Sequence, residues 1–182
     1  MRARNDTARF GWVSLALHWA MALGLLGALG LGTYIAGMEP SVSTLWLYGL
    51  HKTIGISLLA LVLARLAWHR ISPPPASYTD GIAAWQSIAA RWAHRGLYLL
   101  MLLVPLSGWM GSAATGIDVV IFGQLALPRI APVSEAWDSA AFAAHFWLTR
   151  ALMALIGLHV AGALWRHFGH RDATLRRMLG RA

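Results

Sequence analysis

The sequence predicts an all-α protein: an up-down bundle of four transmembrane helices with both termini in the cytoplasm. Three observations predict it. Of 182 residues, 58% are hydrophobic and only 12% are charged, about half the charged share of a soluble domain, and the mean hydropathy is +0.56. The apolar residues fall in four runs, each of the roughly 20 residues that a bilayer crossing requires. The cations gather on one side of those runs.

The expected spans are residues 12–35, 45–68, 92–113 and 140–165, within a single domain covering 1–182. Arg2, Arg4 and Arg9 precede the first run as they would a secretory signal. The run continues to about residue 38, too long for a signal core, and has no clear cleavage site, so it reads as a retained helix. Gly24, Gly27 and Gly30 offer that helix a small-residue packing face. The second span ends before "ISPPPASYTDGIAAWQ", a stiff proline-rich break. Pro105 is expected to kink the third span. The connection from about residue 112 to 139 contains "GIDVVIFGQLALPRIAP", apolar enough to lie on the bilayer or cap the bundle.

Charge sets the orientation. The termini and the proline-rich side hold 12 arginines, and the other side holds Lys52, Arg129 and Arg150. By the positive-inside rule both termini are cytoplasmic. The net charge of +8 therefore reports topology rather than nucleic-acid binding, because the basic residues sit at the ends of apolar runs. The absence of cysteine excludes disulfides, thiolate zinc sites, cysteine-held iron–sulfur clusters and covalent c-type haem. Any metal centre must rest on the eight histidines.

Topology gives each histidine a depth. His51 and His145 begin the second and fourth spans, near the outer face. His18, His94 and His159 lie toward the cytoplasmic side on three different helices, while His69, His167 and His170 lie at the inner interface. His145 and His159 are fourteen positions apart, which returns a helix to within roughly 40° of the same face about 21 Å further along. Interfacial or core roles explain any one histidine well, and His69 and His170 best of all. Five within spans, sorted into an outer pair and an inner trio, are hard to explain as packing.

A mononuclear zinc site wants three or four converging ligands, and no acid lies in the expected spans. Bis-histidine haem needs two ligands on facing helices, an apolar slot and cations for its propionates, all of which a helix bundle supplies. Without cysteine the haem is b-type. His145 then serves an outer haem with His51, and His159 serves an inner haem for which His18 and His94 compete. Arg65 shares the face of His51 fourteen positions on; a propionate contact and snorkelling to the interface explain it equally well.

The stretches "LALHWAMAL", "LHKTIGISLLALVLARL", "AHRGLYLLMLLVPLSGWM", "FGQLALPRIAPVSEAW" and "GLHVAGALWRHF" together resemble the bacterial cytochrome b561 family, over residues 10–180. The resemblance implies a four-helix cytochrome of the bacterial inner membrane, multi-pass, carrying two haems b per chain. It also implies exchange of electrons with quinone, and superoxide oxidation coupled to ubiquinone reduction is the activity attached to the type member. The similar cytochrome b subunits of formate dehydrogenases and hydrogenases use the first, second and fourth helices. That implies His51 with His145 and His18 with His159 as iron ligands, leaving His94 as a quinone-pocket residue or the competing ligand. His167 falls where the family often has a histidine pair, here preceded by Arg166. With Arg91 or Arg95, these residues are the expected quinone contacts.

The leading expectation is thus an oxidoreductase taking electrons from a periplasmic donor, superoxide first, to ubiquinone. Lys52, Arg129 and Arg150 are the expected anion-steering or propionate contacts. Two alternatives remain open: an anchor subunit serving a dehydrogenase or hydrogenase partner protein, and a transporter using histidines as proton relays. Membrane lipid is the remaining expected partner.

Overall fold

A computed structural model describes residues 2–78 and 81–181. Helix α1 covers Trp12–Ala36, α2 Leu45–Ile71, α3 Ala84–Ala114 and α4 Glu135–Phe168, and each is long and apolar enough to cross a membrane. Their exposed residues are large and apolar (Leu23, Trp147 and Leu158 are each 68–69% exposed), as a lipid-facing surface requires. A short helix α5, Thr174–Met178, and a hairpin of β1, Val120–Ile121, with β2, Leu125–Ala126, complete the fold.

The helices start and stop where local chemistry directs. Gly37 follows α1, and its N–H bonds the Tyr34 carbonyl. A 3-10 turn over Val42–Thr44 carries a reciprocal Ser41–Thr44 capping box and runs straight into α2. Ser72 ends α2 because the prolines after it disfavour helical backbone. Ser134 precedes α4, whose first turn holds Glu135 and Asp138 and whose last holds Arg166 and His167, each sign at the end the helix dipole favours.

Three expectations need correction. The third helix begins at Ala84 rather than residue 92 and the fourth at Glu135 rather than 140, because polar residues extend helices beyond the hydrocarbon layer that hydropathy detects. His145 consequently lies ten residues, about 15 Å, inside α4 and does not begin it. Of the three glycines singled out in α1, only Gly24 packs closely, where an added Cβ would meet Leu58 Cδ2 at 2.9 Å; Gly27 and Gly30 face open space. The apolar connection forms the hairpin, which packs on α2 and bonds it through the Phe122 N–H and Thr53 Oγ1 at 3.3 Å.

The helices pack in sequence, α1 on α2, α2 on α3 and, most extensively, α3 on α4. Gly96 and Gly111 make the last seam close, meeting Leu155 and Phe142. By contrast, α4 has little direct contact with α1 or α2. At the end bearing the termini, polar contacts tie the segments together. Asn5 bonds Ser72 and Pro73, Trp68 Nε1 donates to Ser14 Oγ at 2.9 Å, and Trp19 Nε1 donates to the Met178 carbonyl.

Candidate functional site

The histidines sort into two levels. At the first, His51 on α2 faces His145 on α4 with ring centres 6.3 Å apart. At the second, His159 on α4 faces His18 on α1 at 6.4 Å, and His94 on α3 approaches His159 to 5.1 Å. Two imidazoles on opposite sides of one metal have ring centres roughly 6 Å apart, since each metal–nitrogen bond is about 2 Å and the ring centre lies about 1 Å beyond. The 6.3 and 6.4 Å separations match that spacing, and 5.1 Å is too short for it. Among the described residues no three His, Asp or Glu side chains gather as ligands for a single ion. The imidazoles come in facing pairs, across helices that scarcely touch.

The first level is prepared in detail. His145 Nδ1 lies 2.9 Å from the Val104 carbonyl and 3.2 Å from Ser107 Oγ. A carbonyl only accepts, so Nδ1 carries the proton and Nε2 keeps a free lone pair, the second contact that orients a metal-binding histidine. Gly108 and Gly32 lie against the two rings. A Cβ added at Gly108 would meet His145 Cε1 at 3.0 Å, and one at Gly32 would meet His51 Cε1 at 2.8 Å. His51 Nδ1 is buried without a hydrogen-bond partner among the described residues.

The second level is arranged differently. Arg65 Nη1 donates to His18 Nδ1 at 3.0 Å, and its guanidinium lies 5.9 Å from the Tyr98 ring centre. Arginine is always a donor, so neutral His18 here carries its proton on Nε2. Ligation through Nε2 requires Arg65 to leave Nδ1, and a propionate is the acceptor that would draw it away. Tyr98 continues the polar chain to His69 Nδ1 at 3.5 Å.

The remaining expected residues are only partly brought together. Arg129 pairs with Asp118 at 2.9 Å and bonds the Gly116 carbonyl, so it is no free cation. Lys52 is half-buried beneath the hairpin, within electrostatic range of the same Asp118. Arg150 sits five residues beyond His145 toward the other level, over the Phe146 ring at 4.7 Å, and so does not join the other two at the helix end. His94 lies beside His159, whereas His167 is eight residues further along α4, about 12 Å away along the axis, its Nδ1 buried without a partner. Arg95 stacks on Trp92 at 5.1 Å.

Sequence reasoning missed Val104, Ser107, Gly32, Gly108 and Tyr98. The glycines carry a readable signal, since each lies on a neighbouring helix at the depth of a histidine. The Val104 carbonyl carries none, because every residue has one.

Four apolar helices holding paired imidazoles at two depths define a membrane protein of the b-type cytochrome class. The sequence matches the prokaryotic cytochrome b561 family over residues 9–181, and the chain belongs to that family. It is 35% identical to cytochrome b561 homolog 2 of Escherichia coli K12 over all of this chain and 97% of that protein. Cytochrome b561 homolog 1 of the same organism is 30% identical, over 95% of this chain and 98% of the relative. A probable superoxide oxidase, CybB, of Yersinia pestis is 25% identical over 94% and 96%. Proteins of this family bind haem b and act in electron transfer, and this chain is a multi-pass protein of the bacterial inner membrane.

Proposed function

We propose that the chain carries two haems b and passes electrons from a periplasmic donor, superoxide foremost, to ubiquinone. The observation that carries this reading is the repetition on α4 of one facing-imidazole geometry, 6.3 Å at one level and 6.4 Å at the next. His51 with His145 would hold one haem and His18 with His159 the other. The 5.1 Å approach of His94 favours a quinone-side role for it over ligation. When bound, haem b supplies a one-electron carrier at each level.

The chain's own residues do the rest. Val104 holds the His145 tautomer, and Gly32 and Gly108 leave room for the first-level rings. With haem bound, Arg65 would give up His18 for a propionate. Lys52 attracts an anionic donor at the hairpin end. In the overall reaction two superoxide anions each lose one electron and leave as dioxygen, and ubiquinone takes both electrons and two protons to become ubiquinol. His94 and His167 would bond or protonate its oxygens, at the end the positive-inside rule assigns to the cytoplasm.

The test is haem stoichiometry by pyridine haemochrome. Two haems b per chain are expected, falling to one in His145→Ala and in His159→Ala, with different residual spectra. A His145→Ala protein retaining two low-spin haems would refute the pairing.

A further inference from the structure

Arg177 is unusual among the fifteen cations. It is 6% exposed, held on α5 between the Tyr78 and Phe10 rings at 4.8 and 5.5 Å. Its Nη1 donates to the Ala76 carbonyl at 3.0 Å, while Nε and Nη2 are buried and have no acceptor among the described residues. Those two nitrogens form one edge of the guanidinium, the fork that grips two oxygens of a carboxylate or phosphate. An unpaired buried charge is costly, so a fold that buries this edge is incomplete without an acceptor.

Arg177 lines a cavity of about 650 Å³ whose other walls include Arg2, Arg4 and Arg9. One acid lines it too. Asp6 Oδ1 accepts from the Ala8 and Arg9 backbone N–H groups at 2.8 and 2.7 Å, and among the described residues Asp6 forms no ion pair with any of these arginines. Four arginines and a single aspartate therefore line the cavity among the described residues, and Oδ1 of that aspartate is engaged in a turn. A water molecule would satisfy one N–H and leave the charge uncompensated, whereas an oxyanion satisfies both. The cavity also includes Phe10 and Gly11, immediately before α1 begins at Trp12. It therefore sits where the apolar span gives way to the headgroup layer.

We propose that this cavity is a binding site for a phosphate-bearing anion, the headgroup of an acidic phospholipid or free phosphate, to which Arg177 would turn its unfilled edge, with Arg2, Arg4 and Arg9 around it. The site is separate from the imidazole pairs and is independent of the redox reading.

The test is native mass spectrometry of the full haem-loaded chain, stripped of lipid in detergent and titrated with phosphatidylglycerol, phosphatidylcholine or inorganic phosphate. Wild type should take up one anion saturably and prefer phosphatidylglycerol to phosphatidylcholine. Arg177→Gln should weaken that binding about tenfold or more, the loss expected for charge-assisted hydrogen bonds. Arg181→Gln, the same charge change at the same end, should not. Binding of phosphatidylglycerol alone identifies a lipid headgroup, and equal use of inorganic phosphate identifies a free anion; both support the site. If Arg177→Gln does not fold, Arg4→Gln/Arg9→Gln reads the same loss with Arg177 in place. Undiminished binding in a folded Arg177→Gln protein, an equal loss in Arg181→Gln, or full affinity in the double variant overturns the proposal.

Discussion

Replacing Gly32 or Gly108 by alanine should weaken haem binding at the first level, although neither residue carries a functional group. At Gly32 the new Cβ would lie 2.8 Å from His51 Cε1, and at Gly108 3.0 Å from His145 Cε1 and 3.1 Å from Nδ1. An ordinary contact needs at least about 3.4 Å, so each ring must retreat by roughly half an ångström, a move of the overpacking kind that costs about 1–3 kcal/mol. The two rings differ in freedom. His51 has no hydrogen bond at Nδ1 and can yield, whereas His145 is held to Val104 and Ser107, so Gly108→Ala should be the more damaging. Helix propensity runs the other way, since alanine is favoured over glycine by about 1 kcal/mol. The propensity gain therefore offsets part of the overpacking cost, and before haem is added both variants should lose at most about 2 kcal/mol of stability. Gly27→Ala, where nothing lies within 4 Å, gives the propensity gain alone. Haem titration of the three apoproteins should show first-level affinity reduced about tenfold in Gly108→Ala, less in Gly32→Ala, and unchanged in Gly27→Ala. Identical titrations for Gly108→Ala and Gly27→Ala would refute the reasoning.

Two further outcomes follow from the two ends of the bundle. With Arg129 committed to Asp118, Lys52 is the main cation available to an anionic donor at the hairpin end. Lys52→Gln should lower superoxide-driven haem reduction and flatten its decline with ionic strength, since salt screens such attraction within about 8–10 Å; stopped-flow rates equal to wild type at every salt concentration would remove the steering role. At the other end, burial pushes the Asp172 carboxyl up, but hydrogen bonds from Thr174 and the Arg166 guanidinium outweigh it and hold the group below its ordinary 3.8. A carboxylate depressed by folding stabilises the fold above its unfolded value and loses that contribution as pH falls through the folded one. The segment from Arg171 to Arg181 should accordingly exchange amide hydrogens faster as pH drops below about 4, after correction for intrinsic rates. Arg166→Gln should weaken that dependence, since the Thr174 contacts remain, and a pH-insensitive wild type would contradict it.

The parts of this structure that follow from period and composition were legible in the sequence. Four spans, the depth shared by His51 and His145, the depth shared by His18, His94 and His159, and the common face fourteen residues apart follow from hydropathy and helix geometry, whereas the choice of His18 over His94 rested on the family resemblance. Helix ends were less legible. Residues 84–91 and 135–139 are helical but too polar to register as span, so the position of His145 within α4 was misjudged. Contacts that depend on the approach of distant segments were not legible at all. Nothing in the sequence brings Val104 to His145, ties Arg129 to Asp118, or folds α5 back so that Arg177 meets Phe10 and Tyr78. Arg65 was correctly placed at the second level, but its present partner is His18, because a buried guanidinium takes whichever acceptor lies in reach.

That partner gives the two levels different electrostatics. Among the described residues the second level holds a permanent cation, Arg65, and the first holds none in contact with its imidazoles; each haem would bring the same propionates, so this difference between the levels would persist with Arg65 turned to one of them. A fixed positive charge favours an added electron nearby. At roughly 10 Å in an effective dielectric of about 20, one charge is worth about 1–2 kcal/mol, or roughly 40–90 mV for a one-electron couple. Arg65 thereby biases electrons toward the second level and the termini-bearing end, the direction the proposed reaction needs. Arg65→Gln removes the charge and keeps a hydrogen-bond donor, whereas Arg65→Lys keeps the charge and loses the planar fork. Potentiometric titration should find the second-level midpoint lowered in Arg65→Gln, near wild type in Arg65→Lys, and the first-level midpoint little changed in both. If both substitutions lower the second-level midpoint equally, Arg65 acts through its hydrogen-bond geometry, and the field of its charge does not set the direction of transfer.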